Sequence, residues 1–169
     1  HLSQKLLGLI KTKALMIKVN VIINNNNWYR IIKNPAVYIT RKIDKLNKFE
    51  KVFFKKNIYC TLLLSGNKEI KNLNMKFRKK NKSTDVLSFP FQTKKELTNL
   101  LKNEKEIYLG DIIINLNKVR NKNLKNFKSE LNYLWIHGLL HLFGHEHKKE
   151  KDFLKMSQVE KKYLDLINA

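Results

Sequence analysis

His137, His141 and His147 stand in the run His137-Gly138-Leu139-Leu140-His141-Leu142-Phe143-Gly144-His145-Glu146-His147. They are three of the chain's 5 histidines. Residues at i and i+4 lie one turn apart on one helical face, so His137 and His141 aim together. Gly144 follows as a residue able to take the left-handed conformation that ends a helix. The chain can then bring His147 back against the other two. Three neutral imidazoles with one corner left open describe a catalytic zinc site, whereas structural sites close all four corners with protein ligands. The spacing predicts a metal that does chemistry, held by His137, His141 and His147.

Isolated histidines are ordinarily solvated or hydrogen-bonded side chains, and an i,i+4 pair can arise by chance. Here Leu131, Leu134, Trp135, Ile136, Leu139, Leu140, Leu142 and Phe143 surround the pair, as in an interior helix. Imidazoles in apolar surroundings need partners to offset desolvation, and a metal supplies them. The spacing also matches the histidines and glycine of metzincin proteases, and Met156 lies downstream. Gly138, however, stands where those enzymes carry the glutamate that activates the zinc-bound water. The scaffold is comparable; the reaction should differ.

The elements that must position these residues follow from the patterning. Alternation from Ile17 to Ile23 predicts a strand, and residues 1–15 look like an N-terminal extension to a domain spanning 16–169. Pro35 opens a helix, Asn57–Leu64 forms a second strand, and Ile70, Leu73 and Phe77 give the stripe of another helix. Val86–Phe91 is a third strand, with Pro90 favouring an edge position, and Tyr108–Asn115 is a fourth. Thr93–Lys105 reads as an exposed connection. The histidine helix begins near Ser129, and a last helix runs from about Glu150 to Ile167 on a stripe of Phe153, Met156, Val159 and Tyr163. The order β-α-β-α-β-β-α-α predicts an α+β fold with a small mixed four-stranded sheet packed against helices.

Composition bounds the setting. The chain has 169 residues, enough for one domain with a real core. No apolar run is long enough to span a bilayer, and the start lacks the continuous apolar segment of a signal peptide. The single cysteine, Cys60, sits in an apolar run and suits a buried position in a reducing cytoplasm. Net charge is +21, from 35 Lys and Arg against 14 Asp and Glu. Such an excess suits a polyanionic partner, although abundant Lys, Asn and Ile also reflect a compositional bias toward A and T.

A second set of blocks sharpens this. The segment from Leu73 through Phe77-Arg78 to Ser83-Thr84-Asp85-Val86-Leu87-Ser88-Phe89-Pro90-Phe91, then Leu109-Gly110-Asp111-Ile112, then the histidine run, resembles the YbeY family. The family's signature H-G-x-L-H-L-x-G-x-D-H is reproduced with Glu146 in place of aspartate. Asn81, Ser83 and Phe77 replace the usual aspartate, proline and tyrosine.

The resemblance implies a zincin-like domain binding one Zn2+ through His137, His141 and His147. It implies a single-strand-type endoribonuclease of rRNA, acting at the 3′ end of the small-subunit 16S rRNA and in ribosome assembly and quality control. The family's active-site arginine corresponds to Arg78, so Arg78 and His137 are the expected catalytic residues. A guanidinium there can hold a phosphate bidentately at any working pH. Asp111, His145 and Glu146 are weaker candidates near the site. Glu130, seven residues before His137, is about 10 Å away along a helix axis, too far to share an ion; a helix-start carboxylate is its ordinary role. Either a metal-activated water or the RNA 2′-hydroxyl can serve as nucleophile. Two other readings compete: a metal-dependent, protease-like hydrolase on a non-nucleic substrate, and a non-catalytic zinc-containing ribosome-assembly factor.

Overall fold

Four strands form one mixed sheet in the order β1-β2-β4-β3. They are β1 (Ile17–Ile23), β2 (Asn57–Ser65), β3 (Val86–Pro90) and β4 (Glu106–Asn115). The computed structural model describes residues 17–49, 56–119 and 123–169; the extension expected over residues 1–15 lies outside them. β1, β2 and β4 run parallel and β3 pairs antiparallel with β4. Parallel neighbours need a crossover, and helices supply it. α1 (Trp28–Ile31) and α2 (Pro35–Phe49) join β1 to β2, and α3 (Asn67–Arg78) leaves β2 for β3. α4 (Lys94–Asn103) precedes β4, after which come α5 (Leu124–Leu142) and α6 (Glu150–Asn168).

Strand alternation divides the sheet into two faces. Ile58, Cys60, Leu62 and Leu64 of β2 point into the main core, where they meet Leu131, Trp135, Leu139 and Leu142 of α5 and Ile39, Ile43 and Leu46 of α2. Each such side chain contributes about 1.5–3 kcal/mol on burial. Leu63, Leu87 and Ile113 point the other way and join Ile70 and Leu73 beneath α3. Polar side chains within the interior find partners there: the Trp28 indole donates to the Ser65 carbonyl (2.9 Å), and Asn132 Oδ1 accepts from Tyr38 and Trp135. Cys60 is buried, as its apolar setting predicts.

The expected α+β class, the mixed sheet and the edge position of Pro90 hold. Three local expectations do not. Residues 93–105 are not a bare connection: Thr93 caps α4 in a reciprocal box with Glu96, and Leu97 is buried with Leu100 and Leu101 against the core. The histidine helix starts at Leu124, where the Asn123 side chain accepts from Asn126 N, so Glu130 lies inside the helix and not at its start. The inner stripe of α6 is Met156, Glu160, Tyr163 and Ile167; Phe153 is 54% exposed. Among the described residues no helix is long and apolar enough to cross a membrane.

Candidate metal centre

α5 carries His137 and His141 along its length, pressed against β3 and β4 by Gly138. A Cβ on Gly138 would lie 2.6 Å from Ile112 Cγ2 and 3.2 Å from Ser88 Oγ. The residue that takes the protease glutamate's place is therefore a packing requirement, because no side chain fits there. Past Leu142 the helix closes with Gly144 N on the His141 carbonyl and His145 N on the Leu140 carbonyl. Gly144 takes φ +88°, which L side chains rarely adopt. That reversal returns His147, and the three imidazoles offer ligand nitrogens all within 4.8 Å of one another.

The orientations of the His141 and His137 rings are fixed from behind. His141 Nδ1 donates to the His145 carbonyl at 2.9 Å, which leaves its Nε2 with a lone pair. His137 Nδ1 lies 2.7 Å from the Glu160 carboxylate of α6, which is 8% exposed. With both Nδ1 atoms so engaged, the two Nε2 atoms face each other 3.1 Å apart. Burial pushes the His141 imidazole below its ordinary pKa, and the neighbouring His137 adds to this. Brought this close, the two Nε2 atoms are placed as a pair of ligands for one ion. Two nitrogens on one tetrahedral zinc, at ~2.0–2.1 Å from it, are about 3.3–3.4 Å apart, close to what is found. The donor set fits a divalent metal.

A cleft of about 640 Å³ opens over these rings. Arg78, the last residue of α3, lines it and donates to the Ser88 carbonyl at 2.9 Å. Lys79, at φ 59°, ends α3 with a left-handed cap immediately after Arg78. The Asn74 side chain ties the following loop by donating to the Lys82 carbonyl.

His145 and Glu146 line the cleft too, and His145 serves the site through its backbone carbonyl. Burial, then Lys94, holds the His145 imidazole below its usual pKa. Asp111 lies elsewhere. Because Ile112 points at Gly138, strand alternation turns Asp111 to the opposite face of the sheet, where it accepts from the Tyr108 hydroxyl. Sequence patterning did not single out Glu160, Tyr133 or Asp85. Tyr133 stacks on His137 at 5.6 Å, and Asp85 lines the cleft. Glu160 left a signal: it is a carboxylate at i+4 from Met156 within the apolar stripe of α6.

Comparison with known proteins decides the lineage. The family model described as Endoribonuclease YbeY matches residues 22–168. The chain belongs to that family. The Endoribonuclease YbeY of Pelagibacter ubique (strain HTCC1062) is 43% identical over 148 residues, covering 86% of this chain and 92% of its own. That of Mycoplasmopsis pulmonis (strain UAB CTIP) is 39% identical over 122 residues, covering 70% and 79%. The solution structure of TM1509 from Thermotoga maritima shares the fold, with a TM-score of 0.52 at 22% identity over 89% of each chain. For a YbeY-family chain, the clustered histidines are a group able to hold a metal ion.

Proposed function

We propose that this chain is a zinc-dependent endoribonuclease that processes rRNA, maturing the 3′ end of 16S rRNA and serving ribosome assembly and quality control in the cytoplasm. The observation that carries the reading is the face-to-face approach of His137 and His141 Nε2 at 3.1 Å, beside His147. Family membership supplies the RNA substrate class.

His137, His141 and His147 would hold the ion. When bound, zinc lowers the pKa of a coordinated water toward about 7 and polarises a phosphoryl oxygen. The protein's own groups do the rest. Glu160 and the His145 carbonyl keep the two Nδ1 positions occupied, so both ring planes stay aimed into the cleft. Arg78 spends one guanidinium nitrogen on the Ser88 carbonyl and keeps further N–H donors for a phosphate. It meets the negative charge that develops during cleavage. Among the described residues the ligand group holds three protein donors, which favours a catalytic over a purely structural ion. The closed packing at Gly138 disfavours the protease alternative.

The test is cleavage of a single-stranded RNA by purified protein, with chelation and metal restoration as controls. Cleavage should stop on chelation, return with zinc, and be absent from His137→Ala. Full activity in that variant, or after thorough chelation, would refute the assignment.

A further inference from the structure

The outer face of the sheet takes no part in the histidine site, and α3 covers only one end of it, where Ile70 meets Leu63, Leu87 and Ile113. The other end carries an ordered row. Lys18 of β1 is in register with Tyr59 of β2, and Tyr59 with Tyr108 of β4. Lys18 Nζ stands 5.7 Å from the Tyr59 ring centroid. Phe91, just past β3, meets Tyr108 edge-on, with centroids 5.8 Å apart and planes at 78°. The row crosses all four strands, about 14 Å at the usual strand spacing. Phe91 is 74% and Tyr108 37% exposed. Single exposed aromatics are ordinary on a protein surface; a cross-strand row of them flanked by lysine is not.

The row also leads somewhere. Phe89, two residues before Phe91 on the same face, packs on Phe77 at 5.3 Å, and Lys76 Nζ lies 5.2 Å from the Phe77 ring. The Arg78 guanidinium sits 5.6 Å from the Phe89 ring and at the same time lines the cleft. β3 is the edge strand, so the aromatic face and the histidine cleft meet across a single strand.

We propose that this row is a platform for single-stranded RNA: Tyr59, Tyr108 and Phe91 stack about two or three bases of the substrate, and the backbone then passes over β3 to Arg78. The inference rests on the endoribonuclease reading of the cleft and extends it by naming the surface outside the cleft on which the substrate strand is held. Three observations select nucleic acid over an apolar protein partner. Lys18 flanks the row at its β1 end; the whole chain carries +21; and the platform is continuous with a cleft lined by Arg78 and Lys94. Aromatic faces in a basic groove are how single strands are held without sequence reading. Paired bases offer no free face, so a duplex gains nothing here. The Asp111 carboxylate shares this face but is turned onto the Tyr108 hydroxyl, which also bonds Thr61 at 2.8 Å and so fixes the phenol.

The experiment uses the full chain and an uncleavable 2′-O-methyl single strand bearing 2-aminopurine, read by fluorescence and anisotropy, with a duplex of the same sequence as control. Wild-type protein should bind the strand and quench the probe. Phe91→Ala should weaken strand binding by about five- to hundredfold, the range for removal of one stacked base. It should leave duplex binding and the slope of affinity against salt unchanged. Phe91→Trp and Tyr108→Phe, which keep a ring, should bind like wild type, and Lys76→Ala should lower the salt slope by about one. Phe91 is so exposed that its truncation leaves the core untouched. Unchanged strand affinity in Phe91→Ala, an equal loss for duplex, or no rescue by tryptophan overturns the proposal. Cleavage is measured in parallel. Ring-dependent binding without cleavage refutes the enzyme reading alone, whereas cleavage with ring-independent binding refutes the platform alone.

Discussion

His137 Nδ1 and Glu160 Oε2 are 2.7 Å apart, although α5 and α6 bring them from 23 residues' separation. Glu160 is almost fully enclosed, so its carboxylate has given up water for this one imidazole. The pair orients the ring and raises its basicity toward a metal. Glu160→Gln should therefore weaken metal affinity or activity by about 10–100-fold, with the protein still folded. Competition against a zinc chelator indicator measures it, alongside circular dichroism. Wild-type affinity in the glutamine variant would show that the carboxylate does not serve the site.

Gly138 tests why the protease glutamate is absent. Any Cβ there runs into Ile112 and Ser88. Gly138→Ala should cost about 1–3 kcal/mol, the usual penalty of overpacking, visible as a lower urea midpoint. Gly138→Glu should be worse and should confer no peptidase activity. A stable glutamate variant would mean that β4 yields more readily than close packing allows.

Cys60 gives a pH-dependent expectation. Burial, with the Asp111 charge adding, pushes its thiol from 9.0 up to about 12. A group whose pKa is raised by folding contributes stability that is full below the unfolded value and is lost as pH rises through the folded one. That contribution should be intact below pH 9 and should fade toward pH 12. At pH 8 the native thiol should resist iodoacetamide and react promptly in denaturant. Mass spectrometry of alkylated native protein checks this; rapid native labelling would contradict the burial.

Much of this architecture was legible in the chain because its signals are local. The i,i+4 histidines followed by Gly144, the alternation of β1 and the apolar run of β2 each depend on a few adjacent residues. What escaped was carried by tertiary partners. α4 hides its buried Leu97 among lysines, and only the Thr93–Glu96 box betrays it. Glu160 gains its role from a helix 23 residues away. Asp111 sits three residues from Tyr108, yet only the fold reveals which face of β4 it occupies. The bulge beside Tyr59 and Gly110 at φ +135° shifts the register there, so counting alone misassigns the face.

Thr93 offers a check on the element missed. Its side chain accepts from Glu96 N, and the Glu96 carboxylate accepts in return from Thr93 N at 2.7 Å. That backbone bond holds the Glu96 carboxyl below its usual pKa. The capping contribution is therefore present above the ordinary glutamate range and is lost as pH falls through the folded value. Thr93→Ala should speed hydrogen exchange in the first turn of α4 at neutral pH while leaving α5 protected. Unchanged exchange in α4 would show that Leu97 packing alone holds the helix.

Arg78 makes the sharpest catalytic test, because lysine keeps its charge but not its shape. One guanidinium nitrogen is committed to the Ser88 carbonyl and the group lies over Phe89. An ammonium is a single point donor and cannot make that anchor while presenting a fork to a phosphate. Arg78→Ala should lower kcat by about 10²–10³-fold, the usual consequence of removing one charge-stabilising donor. Arg78→Lys should recover little of it. Metal affinity should stay at the wild-type value in both, since no histidine contact involves this side chain. If lysine restored full turnover, Arg78 would be acting only as a general positive charge, and its bond to Ser88 would have no part in catalysis.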